Sequence, residues 1–351
     1  MKIIQVSHAV TADDAASNQM QNMDGVFNRL GYKTEMYANK IDPAFPSKVK
    51  HFSELIPQKE NLLIYHFSTG TSFINKIMNY PYPIAIYYHN ITPAKYYMWN
   101  AWGSFLNCLK GRRQLAQLGR KAVFAWAASE YSRQELIDNG FKNTSVLPII
   151  LDFERYSIPV DTVLYDKYCD GIFTILFVGR MVPHKCQHDL IEVANQYKRK
   201  FGSVRLFLVG GYKKNYFDKL NRMIERYNLK NDVIITGKVS FKELCTYYHL
   251  SSVFLSMSEH EGFGVPLIES MIFNKPVFAY AAAAVPETIQ DAGVLIKDKD
   301  YGIIAETIHN TMLNNEKRLD LTNKMNSRLT QLHEEIIFNI LRKDIDGLKT
   351  L

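Results

Sequence analysis

Two doubly wound α/β domains, each a parallel sheet covered by helices on both faces, are what the sequence predicts. Two observations carry this. Short apolar runs alternate with helical patterns from end to end, the mark of parallel strands joined by crossover helices. The alternation breaks once, over Leu151 to Gly171, a looser stretch of mixed polarity around Pro159, and then restarts. A chain of 351 residues, 47% apolar and 22% charged, is long enough for two such cores. The first domain is placed at residues 1–150 and the second at 151–330. A C-terminal helix over about residues 331–351 is expected to pack back on the first domain.

In the first domain the strands are expected at Ile3–Val6, Lys33–Tyr37, Leu62–His66, Ile84–Tyr88, Ala122–Ala127 and Ser145–Leu147. Met20, Met23, Phe27 and Leu30 repeat at helical spacing between the first two. Ser132-Arg133-Gln134-Glu135 has the form of a capping box. In the second domain the strands are Phe173–Val178, Arg205–Val209, Val233–Thr236, Val253–Ser256 and Val277–Ala279. Helices are expected from Gln187, from Asn215, and after the box Ser240-Phe241-Lys242-Glu243. In such folds ligands lie at the carboxyl ends of strands, here in a cleft between the domains.

The bulk numbers exclude several classes. Four scattered cysteines (Cys108, Cys169, Cys186 and Cys245) fit a reducing compartment, and no histidine stands at ligand spacing from them. No leader is read before the first strand, and no apolar run approaches the roughly 20 residues that span a bilayer. A cytoplasmic protein is expected, either soluble or at the inner face of the membrane. Residues 1–150 carry 16 Lys/Arg against 10 Asp/Glu, a balance of +6; the remainder carries 26 against 25, a balance of +1. Lys95 to Lys121 holds six basic residues and no acid, with Tyr96, Tyr97, Trp99, Trp102 and Phe105 among them. Such a segment suits an anionic membrane surface or, more plainly, a surface helix with a buried aromatic stripe. Nucleic acid is not expected, since no recognised binding motif accompanies the charge.

The chemistry concentrates in the second domain. Glu261-Gly262-Phe263-Gly264-Val265-Pro266-Leu267-Ile268-Glu269 sets two carboxylates eight residues apart. One continuous helix would place them about 80° apart. The glycines and Pro266 indicate instead a loop that turns into a helix, with Glu261 before it and Glu269 about one turn inside. Amides at that helix start would face an anion. Arg180 and Lys185 follow the strand Phe173–Val178, where fixed cations would stabilise a departing diphosphate. Gly210 closes the next strand and allows close backbone approach, and Lys238-Val239 closes the one after, facing a nucleobase.

This order of features resembles the donor domain of the retaining glycosyltransferases of family four, which have the GT-B fold of two Rossmann-like domains. The strand with Gly179-Arg180, the loop with Pro183 and Lys185, Gly237-Lys238-Val239, the Glu-Gly-Phe-Gly segment with its second Glu, Lys275-Pro276-Val277 and Val285-Pro286-Glu287 all match, densely over about residues 145–315. The first half matches loosely, with Tyr88-His89-Asn90-Ile91-Thr92-Pro93 as the family's cleft segment. The resemblance implies roles. Arg180 and Lys185 hold the donor diphosphate, Glu261 meets hydroxyls of the transferred sugar, and Glu269 binds the ribose diol. Backbone amides of Phe263, Gly264, Val265 and Leu267, beside Gly262, meet sugar and phosphate. His89 sits near the reacting carbon.

Three departures stand out. The loop after the first strand lacks a Gly-Gly pair, so Asp14, Ser17 or Asn18 is left to serve the acceptor there. The usual glycine after the basic loop is Cys186. Ala281 to Ala284 replace more polar residues.

The expectation is a retaining glycosyltransferase that moves a hexose, mannose by weak preference, from a GDP- or UDP-linked sugar to a saccharide or lipid-linked acceptor in surface polysaccharide synthesis. No cofactor or metal is expected, because basic residues take the cation's place and no Asp-x-Asp stands at a strand end of the second domain. The rivals are an epimerase or phosphorylase on the same fold and a non-catalytic binding subunit.

Overall fold

The computed structural model describes residues 1–12, 14–45, 48–98 and 101–348. The chain divides into two compact units, Met1–Asp152 with Leu332–Leu351, and Phe153–Gln331.

The first unit runs β1 (Lys2–Val10), α1 (Ala15–Arg29), β2 (Lys33–Ile41), β3 (Val49–His51), β4 (Leu62–Phe67), α2 (Ile74–Met78), β5 (Ile84–Tyr88), α3 (Trp102–Gly119), β6 (Ala122–Ala127), α4 (Glu130–Asp138) and β7 (Thr144–Val146). Its seven strands lie in the order β3-β2-β1-β4-β5-β6-β7, all parallel. β4 and β5 are buried along their whole length, which is why both read as continuous apolar runs rather than alternating ones.

The second unit contains α5 (Thr162–Tyr168), β8 (Phe173–Val178), α6 (Gln187–Phe201), β9 (Val204–Val209), α7 (Lys214–Arg226), β10 (Val233–Gly237), α8 (Phe241–Leu250), β11 (Val253–Ser256), α9 (Val265–Ile272), β12 (Val277–Tyr280), α10 (Val285–Ile289), β13 (Val294–Ile296), α11 (Tyr301–Leu313) and α12 (Asn315–Gln331). The sheet order is β10-β9-β8-β11-β12-β13, again parallel. The last helix, α13 (Glu334–Leu348), belongs to the first unit. Ile337, Leu341 and Ile345 form its buried face. Asp344 accepts from the Trp126 indole at 2.8 Å, and Arg29 pairs with Glu334 at 2.6 Å. Residues 349–351 lie outside the described residues.

Most strands fall within a residue or two of expectation, though β1 and β2 each run four residues further, to Val10 and Ile41. Other departures have local causes. Ser132 does not cap α4. Ser129, in extended backbone one turn earlier, accepts from the Ser132 amide, and Ser132 is itself buried inside the helix. The box pattern thus matched one turn too late. β3 and β13, three residues each, are too short to carry a period. The looser stretch holds a short helix, α5, capped by Asp161, and a 3-10 turn at Glu154–Tyr156. Ser240 and Glu243 form the expected box at α8.

Each sheet reverses its strand order once, between β1 and β4 and between β8 and β11. In open parallel sheets, ligands lie at the carboxyl ends of the strands where the order reverses.

Candidate active site

In the second unit, the β8 loop carries Arg180 and Lys185, and the β11 loop carries Glu261. These are the two loops that leave the neighbouring strands at the reversal. The Glu259 amide donates to the His184 carbonyl at 2.8 Å and ties them together. Lys185 Nζ meets Glu261 Oε1 at 2.5 Å, with 18% and 14% of the two side chains exposed. Arg180 is exposed, and its carbonyl accepts from Gln187 Nε2 at 3.0 Å, which anchors the loop to the start of α6. His184 registers the local field. Burial first, then the charges of Lys185, His260 and Arg180, push its pKa down to about 2.

Backbone geometry explains two of the glycines. A Cβ on Gly210 would lie 2.2 Å from the Gly179 carbonyl oxygen, so the ends of β8 and β9 approach too closely for any side chain. Gly264 has φ 92° and precedes α9, with Pro266 in the first turn; a side chain there is strained. Cys186 also has φ 51°, which accounts for a glycine being usual at that place. Phe263 and Val265 flank Gly264, with the Phe263 carbonyl held by Thr288 Oγ1 at 2.6 Å. The Leu267 amide donates to the Gly264 carbonyl at 2.9 Å, within the turn that opens α9. Gly262 lies in the same loop. Lys238 is exposed and Val239 half-buried directly after β10.

Glu269, 8% exposed, sits on α9. Its Oε1 accepts from Tyr156 and its Oε2 from Tyr248, each at 2.8 Å. Burial raises its pKa, against the lowering effect of Tyr248, Tyr156 and Arg155. Each oxygen keeps a second lone pair.

Tyr156 and Lys299 were not found from sequence. Tyr156 lies in the segment taken as a linker. Lys299, beyond β13, reaches Asp189 at 2.8 Å and Glu259 at 2.7 Å, with Nζ 3.6 Å from Cys186 Sγ, and so joins the β8 and β11 loops from behind. A lysine among many carries no such signal. Among the described residues, Cys186, His188 and Asp189 bring ligating atoms within 4.8 Å of one another. The Lys299 ammonium already neutralises that group, and burial raises the Cys186 thiol to about 12, so the thiolate a metal would need is disfavoured.

In the first unit, His89 follows β5 immediately. Its Nε2 lies 3.0 Å from His66 Nδ1. The next residue, Asn90, has φ 61° and donates to Ser132 Oγ at 3.1 Å. Burial lowers the His89 pKa to about 4, with Asp14 as the counteracting charge. Asp14 caps α1, accepting from the Ser17 amide at 3.1 Å. The Ser17 hydroxyl donates to Asp14 and accepts from the Thr11 amide at 3.1 Å. It is 2% exposed and closes the loop. Asn18 is half-buried beside it.

Residues 170–328 match the family described as glycosyl transferases group 1. The chain is a glycosyltransferase. The enzyme is similar to the capsular polysaccharide biosynthesis glycosyltransferase CapM of Staphylococcus aureus, 23% identical over 363 residues, or 93% of this chain and 92% of that one. It is 24% identical over 153 residues to a GDP-mannose-dependent alpha-(1-6)-phosphatidylinositol monomannoside mannosyltransferase of Mycobacterium tuberculosis, which covers 41% of this chain and 39% of that relative. Anabaena Alr3699/HepE, solved in complex with UDP-glucose, superposes with a TM-score of 0.78 at 17% identity, covering all of both chains. That likeness establishes the fold of this glycosyltransferase as GT-B.

Proposed function

We propose that this glycosyltransferase moves a hexose from a nucleoside-diphosphate sugar to a saccharide or lipid-linked acceptor, with retention of anomeric configuration, in surface polysaccharide synthesis. The Lys185–Glu261 pair beside Arg180, at the strand reversal of the second sheet, carries the reading. A diphosphate entering there meets two cations, and Glu261, relieved of Lys185, turns to sugar hydroxyls. The bond from the anomeric carbon to the diphosphate breaks. The acceptor oxygen bonds to that carbon on the same face, and its proton passes to the departing phosphate. Arg180 and Lys185 stabilise the charge that gathers as the bond breaks. Glu269 takes the ribose diol. The site uses no metal or other cofactor in this scheme. The name of the capsular relative supports the pathway, and those of the mannosyltransferase and of HepE support a GDP- or UDP-linked donor.

A panel of nucleotides tests the donor class. A ligand that binds only the folded state raises the melting temperature, by the equivalent of about 2.7 kcal/mol at a hundred times its Kd. GDP or UDP should give such a shift and adenosine diphosphate should not. Equal responses to all three contradict a base-selective donor site.

We also assign the 95–121 segment to peripheral contact with an anionic membrane. On α3 the exposed residues include Trp102 (62%), Leu106 (49%) and Leu109 (38%), at helical spacing, with Lys110 and Arg113 exposed among them and no acid on the helix. Apolar residues facing outward beside cations are the reverse of a buried stripe, and they suit an interface with acidic lipid. Trp99 lies outside the described residues. Among the described residues, no helix is long and apolar enough to cross a membrane. Vesicles containing phosphatidylglycerol should sediment the enzyme, and vesicles of phosphatidylcholine alone should not. The change Leu106→Asp should weaken that binding severalfold; wild-type affinity in this variant contradicts the assignment.

A further inference from the structure

A chain of polar groups runs through the first unit from α1 to His89, and its direction can be worked out. It begins at Asp24, whose carboxylate accepts only. Gln5 Nε2 donates to Asp24 Oδ1 at 3.5 Å. The bond is long, yet it fixes the amide, because the flipped amide would set two acceptors against each other. Gln5 Oε1 therefore faces His66 Nε2, at 3.0 Å, and His66 Nε2 must carry the hydrogen. A neutral imidazole has one proton, so His66 Nδ1 is bare and accepts from His89 Nε2 at 3.0 Å. The two rings lie 5.3 Å apart at 26°, which is the distance of rings meeting edge to edge through a hydrogen bond. His89 Nδ1 is then bare in turn, and no described residue donates to it.

We infer that Gln5 and His66 are positioning residues that lock His89 as the Nε2–H tautomer, leaving Nδ1 to accept a hydrogen bond from a hydroxyl of the carbohydrate substrate. The inference rests on the reading of His89 as facing substrate. The wiring is sealed: Gln5 is 0% and His66 2% exposed, and Tyr87, itself fixed to the Leu147 carbonyl at 2.8 Å, packs 4.7 Å from His89 and 5.6 Å from His66. Burial holds both imidazoles neutral, with the pKa of His66 far below its ordinary value and that of His89 near 4. Asp14 is the charge that opposes this at His89. A bare nitrogen repels phosphate oxygens and attracts O–H, so His89 would select a sugar hydroxyl over the diphosphate. An Nδ1–H tautomer would do the opposite.

The experiment is long-range proton–nitrogen NMR of the full chain with labelled histidine at neutral pH. His66 and His89 are assigned from the signals lost in His66→Asn and His89→Asn. Both should show the Nε2–H pattern, and His89 Nδ1 should shift on saturation with UDP-glucose or GDP-mannose, whichever raises the melting temperature. In Gln5→Met the His66 pattern should become a mixture of tautomers. The KM for the sugar donor or acceptor should rise about tenfold while kcat changes less. An Nδ1–H pattern at His89 in the wild-type protein overturns the relay. A correct tautomer with an unmoved Nδ1 on saturation overturns the hydroxyl contact alone. If Gln5→Met does not fold, the wild-type spectrum still decides the relay. The reading of the second unit as the donor site is tested separately by its own variants.

Discussion

Replacing Lys185 with alanine is expected to lower turnover on the order of 10²-fold, the loss seen when one charge-stabilising donor is removed from a preorganised site. Replacing Glu261 with alanine is expected to cost a similar factor. The double variant should cost much less than the product of the two. The reason is the 2.5 Å contact between them in the free enzyme. Either single change strands a mostly buried charge, and part of each measured loss reflects that stranding rather than the reaction. A double-mutant cycle in kcat/KM should give a coupling of about 1–3 kcal/mol. Strict additivity would mean that the two side chains act independently, and unchanged turnover in either single variant would remove that residue from the mechanism. Melting temperatures measured alongside separate loss of fold from loss of chemistry.

The substitution Glu269→Gln should separate stability from donor binding. The carboxyl is buried, and its pKa is raised by that burial. A raised folded-state value means that the folded protein favours the protonated form. The stabilisation this gives is fully present below the ordinary carboxylate pKa and is lost as pH climbs through the folded value. Above the ordinary carboxylate pKa, burying the group is therefore a burden, and glutamine removes it. The amide can still engage both Tyr156 and Tyr248, accepting from one and donating to the other. The variant should melt at or above the wild-type temperature at pH 7, and its advantage should grow as pH rises from about 4.5, the ordinary carboxylate value, toward the raised folded value. Its affinity for the nucleoside diphosphate should nevertheless fall roughly 10- to 100-fold, because a charged acceptor for the ribose diol has become a neutral one. Calorimetric titration beside thermal melts reads both. A variant that binds nucleotide normally would restrict Glu269 to a structural part.

Much of this was legible because the relevant signals are local. Alternating apolar runs give the two sheets, since buried parallel strands need side chains apolar on both faces. The stretch from Glu261 to Glu269 announces a loop turning into a helix through Gly264 and Pro266, and Arg180 and Lys185 declare themselves by following a strand. What stayed hidden depends on residues far apart in sequence. Tyr156 and Tyr248 flank Glu269 only after folding. Lys299 reaches the back of the β8 loop from beyond β13. Gln5, His66 and His89 fall on different strands or their ends and line up only in the assembled sheet. The hydrogen bonds that Ser17 and Leu267 make within their own loops also show only in the folded chain. The orientation of α3 was likewise open. Only the packed helix reveals that Trp102, Leu106 and Leu109 point outward.

The central claim is that a pyrophosphate is held where β8 and β11 part. The most direct measurement is a crystal structure of the enzyme with the nucleoside diphosphate that raises its melting temperature. Phosphate oxygens are expected within hydrogen-bonding distance of Arg180 and Lys185, with the Lys185–Glu261 contact opened and ribose hydroxyls at Glu269. A diphosphate bound elsewhere, with Lys185 still paired to Glu261, would contradict it.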